Sequence, residues 1–172
     1  MKKILIIAAL AVSAGLAKAA SVDWQITGGT ADQVGYSVYL VAALDETWTG
    51  ASDIAAAALA LGTGTSGTLA KNGRVYTVAK TTANGDSITA DSMKNAYVVL
   101  VTDSTADSYK YVKTDLSSYV YGETDTPSGT FGTTTAALLA GTSGSYAAVP
   151  EPTSGLLMLL GMAGLALRRR RA

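Results

Sequence analysis

Val34-Gly35-Tyr36-Ser37-Val38-Tyr39-Leu40-Val41-Ala42-Ala43-Leu44 alternates along its whole length, with Val34, Tyr36, Val38, Leu40, Ala42 and Leu44 on one side and smaller or mixed residues on the other. Successive side chains of a strand point to opposite faces, so this period of two with its bulk on one face predicts a β-strand. The pattern stops at Asp45-Glu46, and Trp48 follows in a predicted loop. Ser52 or Asp53 is then placed to cap a helix through Ile54 to Leu61, favoured by its alanine run, with Gly62 suited to a left-handed exit. Upstream, Val22 to Thr27 reads as a short opening strand ended by Gly28-Gly29.

Downstream the same signals recur. Lys71-Asn72-Gly73-Arg74 predicts a tight hairpin turn into a strand over Arg74 to Lys80. Asn84-Gly85-Asp86 predicts the next turn, and Thr89 to Lys94 one helical turn, with Asp91 or Ser92 as its cap. Ala96 to Thr102 is almost wholly apolar and β-branched, the signature of a central strand buried on both faces. After a polar turn from Asp103 to Ser108, Tyr109 to Lys113 and Tyr119 to Tyr121 suggest a last pair of strands. The expected fold is mainly β: a small sandwich-like domain with one inserted helix, with an α+β sheet carrying the helix on one face as the alternative.

Composition narrows the chemistry. The 172 residues include no cysteine and no histidine. That excludes disulfides, Cys/His zinc sites, Ser-His-Asp triads and Cys-His dyads built within the chain. No cofactor is expected. Gly62-Thr63-Gly64-Thr65-Ser66-Gly67 formally matches phosphate-binding loops, but it follows a helix, and position 68 is threonine where lysine is needed. It reads instead as a flexible turn. From Gly122 to Ala148 the chain becomes rich in Thr, Ser, Gly and Ala, which predicts a semi-flexible stalk over 122–148 behind a domain at 20–121.

Both ends carry address labels. Met1-Lys2-Lys3, an apolar run from Ile4 to Leu16, and Ala17-Lys18-Ala19 fit a secretory signal peptide over 1–19. Ala17 and Ala19 would be the signal-peptidase recognition residues, with Sec-type export machinery and signal peptidase as partners. At the other end, Val149-Pro150-Glu151-Pro152 precedes 15 uncharged residues, Thr153 to Leu167, and then Arg168-Arg169-Arg170-Arg171. As a helix, 153–167 would cover about 22 Å, short of a hydrocarbon core of about 30 Å. Snorkelling arginines extend its reach and hold that end on the cytoplasmic side, so the expected transmembrane helix leaves the domain facing outward. Pro150 and Pro152 keep the strip before it extended and open to a protease.

Whole-chain charge balances at 13 basic against 13 acidic residues. Seven of the basic residues sit in the two end segments, and Glu151 is the one acidic residue there. Residues 20–149 therefore carry 6 basic and 12 acidic side chains, a net charge of about −6. Nucleic acid is not expected as a partner of such a domain.

Pro150-Glu151-Pro152, a short apolar segment and the arginine cluster together resemble the PEP-CTERM sorting domain of Gram-negative-type bacterial surface proteins, over residues 149–172. The resemblance implies export, a membrane-anchored intermediate, recognition at Pro150, Glu151 and Pro152 by an exosortase-type membrane enzyme, cleavage near them, and delivery to the cell surface or extracellular matrix. It also implies extracellular polysaccharide as a partner. The same tail is sometimes labelled an ice-binding protein C-terminal domain, but the Thr-x-Thr pairs at 63–65, 124–126 and 133–135 fall in turn or stalk sequence. A structural or interaction protein of the surface is the expected function, not an enzyme. The alternative is a carbohydrate- or ligand-binding module using exposed Trp24, Trp48 and tyrosine faces. What remains for an enzyme is carboxylate chemistry, Ser-Lys pairing or a carboxylate-bound metal, with Asp45-Glu46 or Asp103 with Asp107 as the candidate acids or calcium ligands.

Overall fold

The computed structural model describes residues 20–103, 108–122 and 129–148. Its strands are β1 (Ala20–Gly29), β2 (Ser37–Val41), β3 (Ser66–Thr68), β4 (Ala70–Asn72), β5 (Val75–Gly85), β6 (Tyr97–Val101), β7 (Ser108–Lys113), β8 (Val120–Tyr121), β9 (Phe131–Thr134) and β10 (Thr142–Ser145). Three helices join them: α1 (Ala51–Leu61), α2 (Ala90–Met93) and α3 (Thr135–Leu139). One sheet runs β4-β5-β1, with β8 and β9 sharing the far edge of β1, and the other runs β10-β7-β6-β2-β3. All pairings are antiparallel except β1 with β9.

The expected sandwich is present, and its core is explained by alternation. Val22, Trp24 and Ile26 of β1 meet Val38 and Leu40 of β2 and Val98 and Leu100 of β6 between the sheets, all of them buried. Met93 from α2 and Leu138 from α3 belong to the same cluster. The second sheet has a further covered side. Val41, Val99, Val101 and Tyr109 form a second cluster with Ile54 and Ala58 of α1 and with Trp48. The molecule is thus layered sheet, sheet, helix-and-loop, so the helix lies on one face of a sheet as in the α+β alternative, while the two sheets still enclose the main core.

Several local expectations change. The strand read from Val34 to Leu44 is shorter: Gln33 and Val34 belong to a 3-10 turn and its end, and Val34 is exposed. Gly50, not Ser52 or Asp53, stands at the start of α1, and Asp53 instead reaches back to accept from the Thr49 amide at 2.6 Å and hydroxyl at 2.8 Å. Gly62 is extended rather than left-handed (φ 160°, ψ −177°). Glycine is needed there because any Cβ would run into the Asn84 carbonyl. Thr63 and Asn84 exchange backbone hydrogen bonds at 2.8 and 2.9 Å. Asn84 and Gly85 therefore finish β5 instead of turning, and the turn falls at Asp86-Ser87.

The 62–67 run is ordered packing, not a flexible turn. The Trp24 indole donates to the Gly64 carbonyl at 2.9 Å, and the buried Thr65 hydroxyl donates to the Ala58 carbonyl at 2.7 Å. Beyond it β3 and β4 form one bent segment: β3 pairs with β2 in one sheet and β4 with β5 in the other, with Leu69 buried at the corner. The β4–β5 hairpin turns on Gly73 at φ 63°, as the sequence led us to expect. The cap of α2 is Thr89, in a reciprocal pair with Ser92, rather than Asp91 or Ser92 alone. The strands at 109–113 and 119–121 exist but lie in different sheets, β7 and β8.

The largest correction concerns the stalk expected over 122–148. Residues 131–145 of it complete the fold, as β9 beside β1, α3 with Leu138 fully buried, and β10 beside β7. Thr135 is also fully buried and donates to the Thr27 carbonyl at 3.2 Å. Small residues here permit close approach: a Cβ on Gly141 would meet the carbonyls of Tyr111 and Leu138, and one on Gly144 the Tyr109 ring.

Candidate functional site

The outer face of the second sheet is aromatic because odd-numbered residues of β6 and β7 point there: Tyr97, Tyr109 and Tyr111. Their rings pack edge to face or tilted, with centroids 5.7 Å apart for Tyr97–Tyr111 and 6.1 Å for Tyr109–Tyr111. Trp48 arrives from the loop after β2 and stands edge-on to Tyr109 at 5.7 Å. Asp45 shapes that loop by accepting from the Thr47 amide at 2.8 Å and hydroxyl at 2.7 Å, and these two bonds hold its carboxyl below the usual range.

The last described residues close this face. Tyr146, just after β10, sets its ring 5.3 Å from that of Tyr109, and the Ala147 amide donates to the Trp48 carbonyl at 2.6 Å. The Tyr146 hydroxyl is buried with no hydrogen-bond partner among the described residues. Desolvation raises its pKa, as it does that of Tyr109, and neighbouring tyrosines add to both.

The surface alternative loses its anchors. Trp24 is wholly buried in the main core and Trp48 is 5% exposed, so neither is the exposed stacking platform that the carbohydrate-binding alternative needs. Val41 to Trp48, α1 and Ser92 do line a groove of about 760 Å³. Its carboxylates, Asp45 and Glu46, are sequence neighbours, and Asp103 lines a separate cleft beside Tyr36 and Tyr39. Asp107 lies outside the described residues. Among the described residues no group of three His, Cys, Asp or Glu side chains is placed to hold a metal ion.

The first sheet carries an ion pair. Asp23 of β1 is buried, 2.8 Å from the Lys80 ammonium and accepting from the Thr82 hydroxyl at 2.6 Å, both on β5. Desolvation pushes its carboxyl up, but the Lys80 and Thr82 contacts outweigh that, and its pKa lies below the ordinary value.

The predicted sorting residues, Pro150, Glu151, Pro152 and Arg168 to Arg171, lie outside the described residues, as do Ala17, Ala19 and the expected span at 153–167. Among the described residues no helix is long and apolar enough to cross a membrane. A family model of the PEP-CTERM protein-sorting motif matches residues 148–171. The chain carries a PEP-CTERM sorting motif. That motif marks a protein sorted via exosortase to the cell surface. No curated protein and no solved structure matches the chain. Sequence reading located the motif but missed the residues that tie it to the domain, Tyr146 and Ala147. The signal available was a lone tyrosine in a run of Gly, Ser, Thr and Ala, preceded by Phe131 and Leu138-Leu139.

Proposed function

We propose that this chain is an exported structural or interaction protein of the cell surface or extracellular matrix, released from a membrane-anchored intermediate by cleavage near Pro150-Glu151-Pro152. The match of the sorting motif at residues 148–171 carries the reading. A signal peptide ending at Ala19 is supported by the order of Met1-Lys2-Lys3, the apolar run from Ile4 to Leu16 and Ala17-Lys18-Ala19. The apolar segment 153–167 would hold the intermediate in the membrane, with Arg168 to Arg171 on the cytoplasmic side. Exopolysaccharide is the proposed surrounding of the finished protein.

The domain's role is contact rather than catalysis. Asp45, the best-placed carboxylate of the groove, already accepts two hydrogen bonds from Thr47, and its neighbour Glu46 follows it directly on the same loop. A fold of this size with its apolar residues packed into two clusters and a net negative charge suits a building unit of a hydrated matrix.

The test is the mass and location of the mature protein in an exporting host, compared with a Pro150→Ala/Glu151→Ala/Pro152→Ala chain. Wild type is expected to lose the Arg-ending tail and leave the membrane fraction, and the triple variant to stay there at full length. Retention of Arg168 to Arg171 by the wild type would reduce the reading to a tail-anchored protein.

A further inference from the structure

We propose that Tyr146 is a releasable latch that controls when the sorting motif can be processed. The proposal deepens, and rests on, the reading of the tail as an exosortase substrate.

The spacing is the first ground. Ala147 is hydrogen-bonded to the Trp48 carbonyl, and the motif match begins at the next residue. However residues 148–150 are arranged, three residues span at most about 10 Å. While Tyr146 is docked, the body of the domain therefore sits against any membrane enzyme that engages Pro150-Glu151-Pro152. Release of the chain back to Gly141 lengthens the tether to nine residues, about 30 Å. A protease that takes its substrate as an extended strand then has room to close on it.

The second ground is that the docked end is held but weakly. Its ring contact with Tyr109 and the Ala147 hydrogen bond favour docking. The Tyr146 hydroxyl opposes it, because it gives up water on docking and gains no partner among the described residues. β10 is a four-residue edge strand whose one partner among the described residues is β7. Short edge elements with few partners open at the low end of the local-stability range. When opening is fast relative to cleavage, the rate of processing follows the open population.

Tyr146→Phe keeps the ring and removes the unpaired hydroxyl, so it tightens the latch. Tyr146→Ala removes the ring and releases it. The experiment is a pulse-chase of the full-length chain in an exporting host, following loss of the Arg-ending tail by mass in wild type and both variants. Amide exchange across 97–101 and 142–147 on the full-length protein accompanies it. The expected result is tail loss about tenfold slower in Tyr146→Phe and faster in Tyr146→Ala, with exchange at 142–147 moving in the same directions and 97–101 protected throughout. Tail loss at one rate in all three chains overturns the latch and leaves the sorting reading standing. No tail loss in any of them overturns the sorting reading and the latch with it. Should Tyr146→Ala lose protection at 97–101, the Phe variant decides alone: slower processing supports the latch, unchanged or faster processing overturns it.

Discussion

The two sheets share one core and differ on their outer faces. On the first, β1 alternates strictly: Val22, Trp24 and Ile26 turn inward, while Ser21, Asp23, Gln25 and Thr27 turn outward. On the second, β6 is apolar at every position, and Val99 and Val101 are buried on its outer face as Val98 and Leu100 are on its inner one. The first sheet manages its wet face with polar side chains and one buried carboxylate that is paired. The second manages its outer face by recruiting distant chain: the loop carrying Trp48, helix α1, and the segment ending at Tyr146 and Ala147. A face built from its own strand is closed as soon as the sheet forms. One built from recruited segments reopens when a segment leaves.

The shared core should respond most strongly. Trp24→Ala removes the largest wholly buried side chain between the sheets and leaves the Gly64 carbonyl without its indole donor. A loss of about 4 kcal/mol is expected, close to the whole stability of a small domain. Thermal unfolding of the variant should show no cooperative transition, or one far below wild type. A melting point near wild type would mean that the two sheets do not depend on a common core.

Tyr109→Ala addresses the outer face of the second sheet. It removes the ring against which Trp48 and Tyr146 both pack, at an expected cost of about 2–3 kcal/mol. The distinguishing result is spatial. Amide protection should fall at 45–48 and 142–147 while 22–26 and 98–100 remain protected, since Val22, Trp24, Ile26, Val98 and Leu100 pack in the other cluster and β6 stays paired with β2 and β7 on either side. Uniform loss across all four segments would erase the distinction between the two kinds of face.

Legibility in the sequence follows the same division. β1, β2, β5, β6 and β7 were all readable from alternation or from a continuous apolar run, and double burial of β6 was readable from its composition. Trp48 was not, because what buries it is Tyr109 and Tyr146, about 60 and 100 residues further on. Residues 131–145 read as stalk because Gly, Ser, Thr and Ala suggest a flexible solvated chain. Here they are small because β10 and the end of α3 lie against Tyr109 and Tyr111 with no room for more. Gly62 misled in the same way: its smallness serves contact with Asn84, not a left-handed turn. The sorting motif was legible because the order of its three parts is a local property. Its attachment to the fold was not, since that depends on a tyrosine from β7.

The smallest expected effect tests the outer face of the first sheet, through Asp23→Asn. The variant keeps shape and some hydrogen bonding but removes the negative charge beside Lys80. Because the Lys80 side chain is 55% exposed, water screens part of the attraction, and the expected cost at neutral pH is about 1 kcal/mol. Its pH dependence identifies the cause. The folded pKa of Asp23 is depressed, so the unfolded chain binds the proton more readily in acid. The stability it contributes is complete above its ordinary value of 3.8 and is lost as pH falls through the lower folded value. Denaturant titrations of both proteins should therefore differ at pH 7 and converge below pH 3.8. Some acid destabilisation should remain in the variant, because Asp32, Asp45, Asp53 and Asp115 are also depressed by local hydrogen bonds. A gap that stayed constant down to strongly acidic pH would show that Asp23 acts by fitting its site rather than by its charge. The polar face of the first sheet would then be held by packing, as the aromatic face of the second is.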